Sequence, residues 1–192
     1  MSLLDGPLPI PAEVWASLHR GVVDARSPFH TPAIATVHQQ GHPEVRTVVL
    51  RAVDEMQRQL VLYSDVRAAK VASLEQHPAL AWFFWHPRHR LQLRASGQAT
   101  VHRTGPQTEA AWARLSGHQK RTYAAEPAPG TPIPAAGDGL PPLDTAPTGR
   151  PHFCVVTSVI DTIDILQLRR SGHRRCVLHW NGRAWTATWV VP

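Results

Sequence analysis

Arg46-Thr47-Val48-Val49-Leu50-Arg51 is an apolar run closed at both ends by arginine. It lies within 45–53, which reads as a β-strand because β-branched residues dominate it. Side chains alternate along a strand, so Arg46, Val48 and Leu50 share one face and Thr47, Val49 and Arg51 the other. Two readings fit the hexapeptide alone. Its arginines grip a ligand at two separated points while backbone amides and carbonyls meet the edge of a planar ring, or they are the solvated basic ends of an ordinary strand.

The flanking sequence sets the fold class. Upstream, 12–24 places Val14, Leu18 and Val22 at helical spacing, and 31–38 reads as a strand that turns at Gln39 to Pro43. Downstream, 59–64 is a further strand, and Ser64-Asp65 is suited to cap a helix that runs to about Gln76. A buried strand follows at 79–85, then a long one at 90–102 with a bend or bulge at Gly97. Thr108 to His118 reads as one helix. The stretch 126–151 holds eight prolines and is a loop excursion. Closing strands occupy 153–168 and 174–191, with Asn181-Gly182 as a type I′ hairpin turn. Seven or eight short strands joined mostly by hairpins make a mainly β (α+β) antiparallel barrel with a few short helices, a single domain over 1–192.

Composition narrows the function classes. Lys and Arg number 20 against 14 Asp and Glu, a net charge of +6, and only Lys70 and Lys120 are lysines. Such a surface attracts anions, and arginine forks suit phosphate and carboxylate. No apolar run is long enough for a membrane helix. Met1 to Ile10 lacks a basic segment and is broken by Pro7 and Pro9, so no signal peptide and a cytoplasmic location are expected. Cys154 and Cys176 are expected to be reduced, buried thiols. Trp82-Phe83-Phe84-Trp85 cannot all face one way and reads as core plus interface. His86 and His89 lack a third ligand, so no metal is expected there. Nucleophile-elbow and P-loop motifs are absent.

Tyr63-Ser64, where a strand gives way to a helix bearing Lys70, would make a phosphate seat, or else an ordinary capped helix. Gln92, on a later strand, is placed to bond a ring edge or to face solvent. Taken in order, Arg46 to Arg51, Tyr63-Ser64, Lys70, the apolar strand, Gln92 with Gly97 five residues on, and the Trp185…Pro192 ending resemble the pyridoxamine 5′-phosphate oxidase family, most of all its branch of short FMN-binding relatives. The resemblance implies a split β-barrel homodimer with FMN at the interface. It further implies that Arg46, Ser64 and Lys70 hold the phosphate, that Val48, Val49 and the Arg51 region lie along the ribityl chain and ring, that Gln92 reaches the ring, and that Thr47, Leu50 and Tyr63 complete the cofactor-binding set. Arg175 would contact the flavin across the interface, and His173 would face a small-molecule substrate.

The chain also departs from that family's pattern. Ala69 stands where a second basic residue is usual, Ser171 where the oxidases carry an arginine, and Ile165 and Leu166 where they carry a tryptophan. FMN binding and a redox function are therefore expected, and vitamin B6 oxidation is not. A flavin- or nucleotide-binding module without turnover is the alternative. A nucleic-acid-binding barrel ranks third, for want of lysine clusters and of aromatics interleaved with basic strands.

Overall fold

In the computed structural model, residues 4, 11–137, 139–140 and 149–192 are described. Part of the Pro-rich excursion and most of the N-terminal decapeptide lie outside them. Helix α1 (Pro11–Val23) precedes β1 (Ala33–Val37), β2 (Pro43–Thr47), β3 (Ala52–Asp54) and β4 (Gln59–Asp65). Then come α2 (Ala69–Gln76), β5 (Ala79–His86), β6 (Leu91–His102), α3 (Pro106–Arg114) and α4 (Gly117–Arg121). Strands β7 (Phe153–Gln167), β8 (Arg174–Trp180) and β9 (Trp185–Val190) end the chain. Every pairing is antiparallel, in the order β2-β1-β5-β6-β7-β4-β3, with β8 on β7 and β9 on β8.

The strand expected over 45–53 is two strands. Thr47 is the last residue of β2, which pairs β1, and Ala52 opens β3, which pairs β4. These are the two ends of the strand order, so residues 48–51 carry the chain from one sheet edge to the other. Val48 and Leu50 donate their amides to Pro32 O and His30 O, each at 2.9 Å, and Arg51 donates to Val61 O at 2.8 Å. The hexapeptide thus bridges the edges and closes the barrel. Its alternation persists: Leu50 is buried, Val48 packs on the core, and Thr47 is exposed.

The barrel is divided along β6 and β7. The first half of β7 pairs β4 and its second half pairs β8, while β6 follows it throughout. The bulge expected at Gly97 lies between Ser96 and Gly97, where Asp161 is skipped. Inside, Trp82 and Phe84 are wholly buried with Trp15, Leu18, Ile34 and Leu93. Trp82 Nε1 donates to Ser158 Oγ at 2.8 Å, which satisfies the indole in an apolar core. Phe83 and Trp85 point outward, 40% and 38% exposed, as alternation requires. Cys154 and Cys176 are both free and buried.

Three local expectations are corrected. Ser64 and Asp65 do not cap α2; they remain in β4, paired with Cys154 and Phe153, and the helix starts at Ala69 without a side-chain cap. The helix expected over 108–118 breaks at Leu115, and Ser116 caps α4 through a reciprocal capping box with Gln119. The turn after β8 spans four residues between Trp180 and Trp185, with positive φ at Gly182 but not at Asn181. A type I′ turn needs both central residues there. Instead, the Asn181 side chain accepts the amides of Arg183 and Ala184.

Candidate functional site

Beside the barrel end formed by β4 and α2 lies a cleft of roughly 440 Å³. Tyr63, Ser64, Asp65 and Lys70 form one wall, and residues between Thr122 and Gly139 the other. The first turn of α2 puts Lys70 next to the end of β4. Its side chain is half-buried, and it has no hydrogen-bond or ion-pair partner among the described residues. Burial, and then the positive charge of Arg46, push its pKa below the ordinary 10.5; the thiol of Cys154 and the Asp65 carboxylate oppose that weakly. A desolvated cation next to a second cation and lacking a counter-ion is a site that an anion completes.

Arg46 reaches the same region from β2. Nη1 donates to Thr36 Oγ1 at 2.6 Å and Nη2 to Glu44 Oε2 at 2.7 Å, so the guanidinium is fixed yet keeps N–H groups to spare. Ser64 is buried, and its hydroxyl donates to Asp65 O at 3.2 Å. Asp65 is held by Arg67, which lowers its carboxyl pKa against the opposing effect of burial. Arg67 also donates to Ala125 O and Glu126 O, which ties the start of the Pro-rich segment to β4. Burial pushes the thiol of neighbouring Cys154 up to about 11, which favours its protonated form near neutral pH.

Of the other expected residues, Arg51 lies over the Tyr63 ring, 5.5 Å from its centroid. Between the donating amides of Val48 and Leu50, Val49 N–H has no partner among the described residues, so a donor is left on the face opposite them. Gln92 and Arg175 sit elsewhere, on the barrel's outer face. The row Trp85, Gln92, Leu166, Arg175, Val190 crosses β5 to β9 there. Arg175 and Arg94 both bind Asp164, with Arg175 at 2.8 and 3.0 Å. His173 is exposed in the β7–β8 turn, its Nδ1 accepting the Arg169 amide at 3.1 Å. Within one chain, Ser64 and Lys70 line the cleft, Arg46 is close enough to act on Lys70 through its charge, and Gln92 and Arg175 belong to a separate outer-face group.

Sequence reasoning missed the cleft's second wall. Tyr123 lines it, its hydroxyl pKa pushed up to about 12 by burial, and its ring packs edge-on against Phe153. Only the Pro/Gly-rich composition after it gave a signal, and composition assigns no position to a loop.

Comparison with known proteins fits this arrangement. A family described as "Pyridoxamine 5'-phosphate oxidase, FMN-binding domain" matches residues 12–103. Pyridoxine/pyridoxamine 5'-phosphate oxidase 2 of Arabidopsis thaliana is 26% identical over 171 residues, covering 81% of this chain and 83% of that one. A pyridoxamine 5'-phosphate oxidase-related, FMN binding protein from Nostoc punctiforme superposes with a TM-score of 0.74 at 28% identity, over 100% of both chains. PhzG from Burkholderia lata, in complex with tetrahydrophenazine-1-carboxylic acid, shares the fold, with a TM-score of 0.77 at 18% identity over 98% of this chain and 95% of that one.

Proposed function

Because the chain belongs to the pyridoxamine 5'-phosphate oxidase-like family, we propose that it is an FMN-dependent oxidoreductase that holds the cofactor's phosphate among Arg46, Ser64 and Lys70. The observation that carries this reading is Lys70, a desolvated ammonium under the charge of Arg46 with no hydrogen bond or ion pair among the described residues. A phosphate supplies the missing charge and accepts from Arg46 and Lys70, and from Ser64 once its hydroxyl turns away from Asp65 O. Val49 N–H, left unpaired on the closing segment, is a donor for the polar edge of the ring.

FMN, when bound, supplies hydride and electron transfer. The chain's part is to bind, orient and exclude water. Tyr63 and Tyr123 give the cleft aromatic walls, and described residues between Pro127 and Gly139 line its other side. On the outer face, Gln92 and Arg175 flank Leu166, with Trp85 and Val190 at the ends of the row. A second copy packed on that face would enclose both polar residues near the cofactor, which makes the working unit a homodimer.

The test is FMN titration of wild type and two variants. Each charge-assisted hydrogen bond contributes about 1.5–3 kcal/mol, so Arg46→Ala and Lys70→Ala should each weaken binding roughly ten- to a hundredfold. Unchanged affinity in folded variants would remove the phosphate assignment.

A further inference from the structure

The tip of the β1–β2 hairpin carries ligating side chains that the flavin reading leaves unused. His38 follows β1, His42 precedes β2, and Glu44 is the second residue of β2. Two backbone bonds fold the turn, His38 N to His42 O at 2.8 Å and Gly41 N to His38 O at 2.7 Å. Gly41 takes the positive φ of +89° that this tight reversal needs. The turn lays the two imidazoles face to face, centroids 4.1 Å apart and planes 18° from parallel. The Glu44 carboxylate arrives at the same place, so that one ligand atom from each residue lies within 4.8 Å of the others.

Two imidazoles and one carboxylate suit ions of the zinc type, not magnesium or calcium, which take oxygen ligands. Zinc–ligand bonds of about 2.0–2.1 Å in a tetrahedron put ligand atoms about 3.3 Å apart. Closing that gap also means unstacking the two rings, because each imidazole binds an ion in its own plane, and an exposed turn leaves the side chains room to swing apart. His38 Nδ1 now accepts the Gln40 amide at 3.1 Å; giving that bond up leaves an exposed N–H that water satisfies. Glu44 is already oriented, because Oε2 is held by Arg46 Nη2 and Oε1 is left for an ion. Arg46 is itself anchored on buried Thr36. A ligating carboxylate fixed by an outer hydrogen-bond donor is how metal sites are commonly oriented.

We propose that His38, His42 and Glu44 bind a divalent transition-metal ion of the Zn²⁺, Co²⁺ and Ni²⁺ class, with water filling the open positions. No other trio of His, Cys, Asp or Glu gathers in this way among the described residues, the His86–His89 pair included. The site needs neither Ser64, Lys70 nor flavin, and Arg46 is the one residue it shares with the phosphate cluster.

Equilibrium dialysis of the tag-free, FMN-loaded protein against Zn²⁺, with bound metal measured by atomic emission, tests this. Wild type should take up one saturable Zn²⁺ per chain. The double variant His38→Ala/His42→Ala should lose it, Glu44→Gln should weaken it at least about tenfold, and His86→Ala/His89→Ala should keep it. The substituted side chains lie at the surface or half-buried, and an unchanged far-UV circular dichroism spectrum of each variant reports an intact fold. Absence of saturable uptake by wild type overturns the proposal, and so does undiminished uptake by either the His38/His42 or the Glu44 variant.

Discussion

With Lys70 on the cofactor's phosphate, as proposed, its titration should set the pH window of cofactor binding. Its pKa is lowered below 10.5, first by burial and then by Arg46. The folded chain therefore gives up this proton earlier than the unfolded one does. The charged form costs folding free energy, so this group's contribution to stability rises as pH climbs through the folded pKa toward 10.5. Anion binding has the opposite sign, because it needs the ammonium. FMN affinity should fall with rising pH before the ordinary lysine range is reached, and Lys70→Arg, which stays charged, should hold its affinity across the same window. Flavin fluorescence titrations from neutral to alkaline pH check this. Parallel declines in both proteins would take Lys70 out of the site.

At the scale of elements, the β6–β7 bulge bends the longest ladder of the sheet. A Cβ at Gly97 would lie 1.9 Å from Val159 O, a backbone atom that cannot rotate away. Gly97→Ala should cost about 1–3 kcal/mol, in the range of overpacked cores. That lowers Tm by several degrees, at roughly 2–4 °C per kcal/mol for a chain of this size. Exposed neighbour Gln98→Ala should leave Tm unchanged. Equal melting of both variants in calorimetry would contradict the role given to the bulge. Gly97 was legible in the sequence because a glycine inside an otherwise regular strand has few other uses. β5 was legible too as a buried strand whose four aromatics must split between two faces, although alternation alone does not say that Trp82 and Phe84 take the core. The break at 48–51 was not, because nothing local separates a strand that keeps its partner from one that crosses to the opposite sheet edge. Arg46 and Lys70 could be read as candidates for a shared anion, but the wall contributed by Tyr123 depends on where a Pro-rich loop returns.

For the whole molecule, the outer face of β5–β9 is the surface that most needs a partner. Phe83, Trp85 and Val190 are each 37–40% exposed around the Arg94–Asp164–Arg175 cluster, an aromatic and apolar patch of the kind found at interfaces. Light scattering should give a dimer mass at micromolar concentration, and Trp85→Glu should shift it toward monomer while weakening FMN binding. A wild-type monomer that retains FMN would defeat the shared site. Vitamin B6 phosphate oxidation should be weak in either state. Ser171 and His173 lie exposed on the β7–β8 turn, and the described cleft-lining residues from Thr122 to Gly139 include no basic side chain to clamp a second phosphate. Aerobic turnover of pyridoxine 5'-phosphate at kcat/KM of about 10⁴ M⁻¹s⁻¹ or more, an ordinary enzymatic value, would reverse that reading.

On the proposed reading, this chain recognises FMN through its phosphate. Riboflavin has the same ring and ribityl chain without that group, so paired titrations isolate it. Wild type should prefer FMN to riboflavin by at least about a hundredfold, the yield of two charge-assisted hydrogen bonds near the low end of their range. Arg46→Ala/Lys70→Ala should bind the two flavins almost equally. Equal affinity of wild type for both flavins, or an undiminished preference in the double variant, would contradict the account.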